Sequence, residues 1–309
     1  MAAHVEPSGL PLISCPVAYS ESLKTYHASK VEPGKRPTLE CIEEHVATLI
    51  SDCVGDPLES HSPCCILGVG SGDGRIDLSF IEMLCKIRRD RVGKLQLFQL
   101  TVEPDENRLE IFRAKAEDLP ESLKSAVDIT FEWSPSTYQE YAEQKRNDIK
   151  FDVVHFFHSI YFAGLESALE HCYEKDLGTK GIIICSTGDE ESPFVKYSKV
   201  FSSQNLILEP GQYYSNKEVR EVAKKNGWKY VECLGESVAL DITNIFDHSS
   251  VKGNLLLDFL THRINVGSTT GQENSQKILK YWENECAEDG DGRKIVNLTT
   301  RTSIIFKGF

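Results

Sequence analysis

Positive charge is scarce in this 309-residue chain, and long apolar runs and C-x-x-C pairs are missing from it. Its 34 Lys and Arg residues against 47 Asp and Glu residues leave a formal charge of −13. That balance argues against a nucleic-acid partner, because phosphate binding needs clustered basic side chains. No apolar run approaches the roughly 20 residues that cross a bilayer, so we expect no membrane partner. The ten cysteines form no C-x-x-C pair, which favours reduced thiols over a zinc site or a disulfide framework.

The first 20 residues do not read as a signal peptide. They lack a basic start and are interrupted by Pro7, Pro11 and Pro16. We therefore expect a cytoplasmic protein, and we expect it to be a monomer. An acidic protein suits a cationic or neutral small molecule as its partner.

Apolar stretches and amphipathic stretches alternate along the middle of the chain. This alternation predicts an α/β fold, a Rossmann-like, doubly wound and mostly parallel sheet. The carboxyl ends of parallel strands share one edge, where ligand-binding loops gather. We predict three parts: an N-terminal helical segment that covers the substrate (1–55), a cofactor-binding core (56–203), and a substrate-binding lobe with the terminal strands of the sheet (204–309). The predicted strands are 64–68, 95–102, 127–133, 151–157, 181–186, 228–233 and 299–307, and the main predicted helices are 76–88, 106–119, 137–144, 165–173, 216–225, 254–263 and 275–282.

A glycine-rich turn follows the first of these strands, with Gly68, Gly70, Gly72 and Gly74 at alternate positions. Glycines there let the backbone bend sharply and let a nucleotide-like ligand approach the main chain. A dinucleotide fingerprint needs G-x-G-x-x-G, but Asp73 stands where the third glycine would fall. The G-x-G-x-G spacing is typical of enzymes that use S-adenosyl-L-methionine (SAM) as methyl donor, and it disfavours a nicotinamide oxidoreductase.

Glu103 ends the second strand and is followed by Pro104, so we expect it at the ligand-bearing edge. A carboxylate there can accept hydrogen bonds from both ribose hydroxyls of an adenosyl group. The alternative is an acidic residue that only favours the start of the next helix.

The fourth strand ends at His158, next to the reactive end of a ligand in a sheet of this topology. His158, Tyr161 and Phe162 are therefore candidates for the ligand cleft, although aromatic residues are more often core. His155 lies within the strand, and we predict that it is a core histidine with its hydrogen bonds satisfied.

With these positions in place, the chain resembles the histamine N-methyltransferase family of SAM-dependent class I methyltransferases. The resemblance extends from about residue 19 to the end of the chain. It includes the glycine turn with Ile76-Asp77-Leu78, Val102-Glu103-Pro104, and the segment Asp258-Phe259-Leu260-Thr261.

For the cofactor, the resemblance implies contacts from the glycines at 68, 70 and 72, the ribose-binding Glu103, a nearby Arg108, Tyr138 beside the adenine, and Phe157 at the end of the fourth strand. The family has Gln at the position of Arg108 and Ser at that of Tyr138. Adenine can stack on an aromatic ring, so these differences are compatible with the same ligand.

For the substrate, the resemblance implies three polar residues, Glu32, His158 and Thr300. Glu32 is retained, whereas His158 replaces a Gln of the family and Thr300 replaces an Asn. The family's paired tryptophans near the pocket are also missing, since residues 191–197 contain none. Tyr19, Tyr161, Phe162 and Phe259 complete the implied substrate-binding set.

The function implied by the resemblance is SAM-dependent N-methylation of an imidazole nitrogen, in histamine or in a histidine dipeptide such as carnosine. His158 would be the catalytic residue, accepting a proton or orienting the ring. Two alternatives stay open: methylation of another small amine or heterocycle, and a non-catalytic SAM-binding module.

Overall fold

A mostly parallel sheet underlies the fold, and it confirms the predicted Rossmann-like α/β class. The structure is a computed structural model that describes residues 10–31, 39, 42–43, 63–87, 93–144, 149–202 and 214–309. The sheet has eight strands: β1 (Cys64–Val69), β2 (Leu95–Val102), β3 (Val127–Ser134), β4 (Phe151–Phe157), β5 (Leu177–Gly188), β6 (Lys229–Asp241), β7 (Ala287–Glu288) and β8 (Lys294–Lys307).

The order of the strands places β1 at the topological switch point of the sheet, where the strand order reverses. The order is β3-β2-β1-β4-β5-β8-β6, with β7 paired to β8. Strand β1 pairs in parallel with β2 on one side and β4 on the other. Ligands of open α/β sheets bind at the carboxyl end of such a switch point, so the loop that follows β1 holds the favoured position.

The helices begin and end near the predicted residues where a local capping signal exists. Ser215 and Glu218, for example, form a reciprocal capping box, so the helix predicted over 216–225 occupies those residues. The helix over residues 193–202 was not predicted. In the described part of the chain, the α-helices with defined bounds are α1 (Pro16–Ala28), α2 (Arg75–Ile87), α3 (Glu106–Glu117), α4 (Glu121–Lys124), α5 (Tyr138–Glu143), α6 (Ile160–Ala163), α7 (Leu165–His171), α8 (Pro193–Ser202), α9 (Asn216–Lys225), α10 (Val251–Thr261), α11 (Val266–Thr269) and α12 (Gln272–Glu285).

The chain divides into two compact units. Unit 1 comprises Met1–Lys35, Gly188–Tyr213 and Glu236–Thr299, and unit 2 comprises Arg36–Thr187, Tyr214–Gly235 and Thr300–Phe309. The boundaries that we predicted after residues 55 and 203 stay a prediction.

Unit 2 contains the core of the parallel sheet, and alternate residues of β1 enter two different apolar clusters. Leu67 and Val69 pack in one cluster, with Val154 and Ile183, whereas Ile66 packs in the other. Both faces of the strand are therefore buried, as in other parallel sheets. Unit 1 has its own apolar cluster, built around residues such as Tyr197, Leu256 and Trp282.

Among the described cysteines, one departs from the expectation of reduced thiols. Cys233 of β6 is disulfide-bonded, so that prediction is wrong at this residue. Cys65 keeps a thiol, and desolvation, helped by the nearby Asp152 carboxylate, raises its pKa to about 11. Among the described residues we find no helix that is long and apolar enough to cross a membrane, and no cluster of side chains suited to hold a metal ion.

Candidate functional site

The glycine turn that follows β1 has a left-handed backbone conformation, which residues with a side chain rarely adopt. Gly70, Gly72 and Gly74 have φ angles of 66°, 58° and 70°. Gly70 also donates its N–H to the carbonyl of Val102 at 2.8 Å, which ties the turn to the end of β2. A β-carbon at residue 70 would lie 2.4 Å from Cβ of Ser159. Glycine is therefore required at this position for two independent reasons, backbone conformation and close packing.

Glu103 lies at the carboxyl end of β2 and contacts the glycine turn directly. Its Oε2 accepts the N–H of Gly72 at 2.7 Å, and its Oε1 accepts the N–H of Asp105 at 3.0 Å. The side chain is buried, with 6% of the residue exposed. Desolvation raises the pKa of Glu103, although the two backbone N–H groups and the Arg108 guanidinium act to lower it.

Arg108 lies in the first turn of α3, beside the same glycines. Its Nη1 is 3.3 Å from where a β-carbon of Gly72 would stand. Asp105 caps the helix by accepting the N–H groups of Asn107 and Arg108. The carboxylate of Asp105 also lies 3.8 Å from the Arg108 guanidinium. Local capping thus orients Arg108 next to Glu103 and the turn.

The end of β4 packs against the other side of the turn. The Ser159 hydroxyl donates to the carbonyl of Val69. His158 precedes it with a φ of 58°, which is unusual for a residue other than glycine, and its side chain is exposed. Such strain is found at functional sites more often than elsewhere. Unit 2 therefore brings together the glycine turn, Glu103, Arg108 and the end of β4.

The aromatic candidates at the end of β4 and just after it divide between core and surface. Phe157 is buried and its ring stacks on that of His155 at a centroid distance of 4.4 Å. Tyr161 is partly buried against the apolar cluster that contains Val154, whereas Phe162 is 40% exposed. Of these residues, Phe162 presents the most surface.

Tyr138 begins α5, at the carboxyl end of β3, but its side chain enters the apolar core. Its hydroxyl donates to Asp176 at 3.1 Å and lies 3.0 Å from Sγ of Cys172. Both partners belong to a π-helical turn over Cys172–Asp176. The predicted contact with adenine stays a prediction, and the structure adds a packing role for Tyr138.

The remaining substrate candidates are distributed over both units. Tyr19 in α1 and Phe259 in α10 belong to unit 1, where Phe259 stacks on Tyr26 at 4.4 Å. Thr300 lies in β8 within unit 2 and is partly buried. Glu32 lies outside the described residues, so its predicted role is not addressed by the structure.

Asp258, in the segment that carries part of the family resemblance, caps the turn between α10 and α11. Its two carboxylate oxygens accept the N–H groups of Asn265 and Val266, each at 2.9 Å. Desolvation raises its pKa to about 6, against the lowering effect of both hydrogen bonds. In the sequence, Asp258 is only an acidic residue near the end of a helix, and that pattern did not predict its hydrogen bonds to Asn265 and Val266.

Sequence reasoning also missed the polar residues beneath the glycine turn. Asp77 accepts hydrogen bonds from Ser71 and Gln99, and it lies 3.3 Å from Nε2 of His155. We predicted that His155 is a core residue with satisfied hydrogen bonds. It is buried, but neither of its ring nitrogens has a hydrogen-bond partner within the described part of the chain, so the second half of that prediction is wrong.

Known proteins resemble this chain along most of its length, although no family model matches it. Histamine N-methyltransferase of Danio rerio is 24% identical over 270 residues, covering 86% of this chain and 89% of the relative. The Rattus norvegicus enzyme is 24% identical over 294 residues, with 91% and 95% covered. Among solved structures, the YcgJ protein from Bacillus subtilis has a TM-score of 0.49 and 13% identity, with 85% of this chain and 98% of that chain covered. The plantazolicin methyltransferase BpumL, solved with SAH, has a TM-score of 0.44 and 13% identity, with 96% and 93% covered.

Proposed function

We propose that this SAM-dependent, histamine N-methyltransferase-like enzyme transfers a methyl group to an imidazole nitrogen of a small histidine-derived molecule. Histamine and histidine dipeptides such as carnosine are the substrates that we favour. One observation carries the proposal: a chain similar to histamine N-methyltransferases over 86% of its length has the Glu103 carboxylate hydrogen-bonded to its glycine turn at 2.7 Å.

The residues at this edge of the sheet fit the adenosyl group of SAM. The Glu103 carboxylate has about four lone-pair positions, and two of them accept the backbone N–H groups of Gly72 and Asp105. The other two suit the two ribose hydroxyls. A β-carbon at Gly70 would meet Ser159, and one at Gly72 would approach Arg108, so the glycines let the main chain of the turn pack closely against the end of β4 and the start of α3.

SAM supplies an electrophilic methyl group on a sulfonium, a leaving group that needs no covalent catalysis. The protein then has to bind the acceptor, align its nitrogen and remove a proton. Alignment at about 3 Å accounts for much of the rate enhancement in such reactions. The attacking imidazole nitrogen must carry a free lone pair, and the methylated ring is cationic until its other ring N–H loses a proton.

We assign the acceptor side of the reaction to His158 and Glu32. His158 follows β4, one residue before the Ser159 side chain that contacts the glycine turn. Its imidazole can hold the acceptor ring by a hydrogen bond or accept the released proton near neutral pH. The carboxylate of Glu32 would hold an ammonium group, which histamine and carnosine both possess. A formal charge of −13 favours such cationic molecules.

A methyl-transfer assay with a panel of acceptors tests the proposal. The panel contains histamine, carnosine, histidine and a non-imidazole amine, and the product measured is S-adenosylhomocysteine. We expect turnover with at least one of the imidazoles and methylation on a ring nitrogen by mass spectrometry. Turnover with only the non-imidazole amine would reject the proposed substrate class. SAM binding by calorimetry without any turnover would instead identify a non-catalytic SAM-binding module.

The Glu32 assignment has a sharper test. Glu32→Gln should raise the KM for an acceptor that carries an ammonium group by about tenfold, the effect expected of one charge-assisted hydrogen bond. It should leave the KM for 4-methylimidazole and the affinity for SAM unchanged. Glu43→Gln, an exposed carboxylate in the same segment, is the matched control. Equal effects on both acceptors would refute the assignment.

A further inference from the structure

A buried polar network lies beneath the glycine turn and includes none of the residues assigned above to cofactor or substrate. Oδ1 of Asp77, in the first turn of α2, accepts the hydroxyl of Ser71 at 2.7 Å and Nε2 of Gln99 at 2.7 Å. Nε2 of His155 lies 3.3 Å from the same oxygen. Asp77 and His155 are each 1% exposed, and Gln99 is fully buried.

The free-energy cost of burying these polar groups reduces what the network contributes to the stability of the fold. Oε1 of Gln99 and both ring nitrogens of His155 lack hydrogen-bond partners among the described residues. Leaving a buried polar group unpaired costs about 1–3 kcal/mol, and a buried carboxylate costs more unless it is well paired. Apolar residues of similar volume often stabilise such a site better. The network therefore points to a role other than stability.

The network contacts the glycine turn in two places: it hydrogen-bonds to Ser71, and it packs closely beside Gly68. Ser71 stands between Gly70 and Gly72, so the bond to Asp77 holds the centre of the turn. A β-carbon on Gly68 would lie 2.6 Å from the Ser71 hydroxyl and 2.8 Å from Oδ1 of Asp77. The strand register places Gly68 opposite His155 of β4, so three neighbouring strands converge on this one carboxylate.

We propose that Asp77 is a positioning residue for the cofactor: it holds Ser71, and thereby the main chain of Gly70 and Gly72, in the geometry that receives the adenosyl group. The inference rests on the proposed function, because it concerns the same cofactor. Asp77 does not contact the ligand in this scheme and acts through the Ser71 hydroxyl. Gln99 holds the carboxylate by a hydrogen bond from the side of the sheet, and the His155 ring lies beside it.

Calorimetric titration of SAM into Asp77→Asn tests the proposal, with the thermal midpoint measured in parallel. The amide keeps the shape of the side chain, but its oxygen is a weaker acceptor for the Ser71 and Gln99 hydrogen bonds than a carboxylate oxygen, and we expect the Kd for SAM to rise about tenfold, which is about 1.4 kcal/mol. At saturating SAM the kcat should stay within about twofold, since the reacting atoms are untouched. Asp152→Asn is the matched control, because this carboxylate accepts the N–H of Cys65 at 2.8 Å near the amino ends of β1 and β4. The control should change the thermal midpoint without changing SAM affinity.

A double-mutant cycle separates positioning from a purely structural role. Ser71→Ala should weaken SAM binding by a similar factor, and the double variant with Asp77→Asn should bind no more weakly than either single variant. Ser79→Ala, on the same helix, removes a hydroxyl that donates to the carbonyl of Arg75 and should leave binding unchanged. If Asp77→Asn does not fold, the Ser71→Ala and Ser79→Ala pair carries the test.

The outcomes distinguish this inference from the proposed function. Unchanged SAM affinity in Asp77→Asn, or in Ser71→Ala, overturns the positioning role while the wild-type enzyme still binds SAM. Additive losses in the double variant also overturn it, because Asp77 would then act independently of Ser71. Absence of SAM binding by the wild-type protein would instead refute the cofactor assignment itself.

Discussion

Replacing Gly70 with alanine is the most direct perturbation of the glycine turn. The new methyl group meets two obstacles: the residue has a φ of 66°, and its β-carbon would stand 2.4 Å from Cβ of Ser159. Ordinary contacts of this kind measure 3.4–4 Å. The main chain of the turn or the end of β4 therefore has to move by about 1 Å to admit the methyl group.

The two obstacles have separable magnitudes. A left-handed backbone costs an L-residue about 1–2 kcal/mol, and overpacking by one methyl group costs about 1–3 kcal/mol more. Gly70→Ala should therefore lower the free energy of unfolding by about 2–5 kcal/mol. A displacement of about 1 Å at a binding turn can reduce the rate by about a hundredfold, so we expect kcat/KM for SAM to fall by that order.

Gly227→Ala is the matched control. Gly227 has a φ of 68°, and no atom lies within 4 Å of the β-carbon position. The control therefore has the backbone strain without the clash and should cost only about 1–2 kcal/mol. Urea denaturation gives the unfolding free energies, and calorimetry gives the affinity for SAM.

Two results would refute the reasoning. Equal destabilisation by Gly70→Ala and Gly227→Ala would mean that Ser159 does not pack on the turn as described. Unchanged SAM affinity in Gly70→Ala would mean that the turn does not bind the cofactor. Adding Ser159→Gly to Gly70→Ala removes the clashing β-carbon, and it should recover part of the lost affinity.

Three further predictions concern Glu103, Asp258 and His158. Glu103→Gln should weaken SAM binding by about ten- to a hundredfold, since hydrogen bonds to a charged group contribute about 1.5–3 kcal/mol. Because burial raises the pKa of Glu103, this substitution should not lower the thermal midpoint at neutral pH. An unchanged Kd for SAM would reject the ribose role. Burial raises the pKa of Asp258 from 3.8 to about 6, so the stability that this carboxyl contributes is full below about pH 4 and is lost as the pH rises through 6. In urea denaturation, the free energy of unfolding of Asp258→Asn relative to that of wild type should therefore rise by about 3 kcal/mol between pH 4 and pH 7. A difference that does not depend on pH would contradict the raised pKa of Asp258. His158→Gln should raise the ratio of kcat/KM for histamine to that for carnosine, and an unchanged ratio would show that His158 does not select the acceptor.

Several elements were predictable where a periodic pattern had a local end signal, although α10 begins at Val251, after the Ser250 cap, and not at the predicted residue 254. The strand over 95–102 and the helix over 216–225 occupy the predicted residues, the latter because Ser215 caps it. Strand β6, predicted over 228–233, extends to Asp241, and it lies next to β8 in the sheet. Pairing between strands depends on residues far apart in sequence, and no local pattern encodes it.

The residues of the candidate site were also predictable only in part. Position after a strand end was sufficient to select Glu103 and His158 as candidates at the ligand-bearing edge. It was not sufficient for Tyr138, whose hydroxyl binds Asp176 at 3.1 Å from 38 residues away. The sequence showed where α5 begins, but the direction of the Tyr138 side chain follows from how α5 packs on the π-helical turn.

By itself, the sequence determined the class of fold, the place of the glycine turn and the spacing that favours SAM, because each depends on residues only a few positions apart. Only the tertiary structure decided that Gly70 faces Ser159, and that Asp77 gathers Ser71, Gln99 and His155 beneath the turn. Those contacts arise from the parallel register of β1 with β2 and β4. A carboxylate in the first turn of a helix looks, in sequence, like a solvated helix-start residue. Its burial among three strands gives it a different physical role, which the sequence pattern could not express.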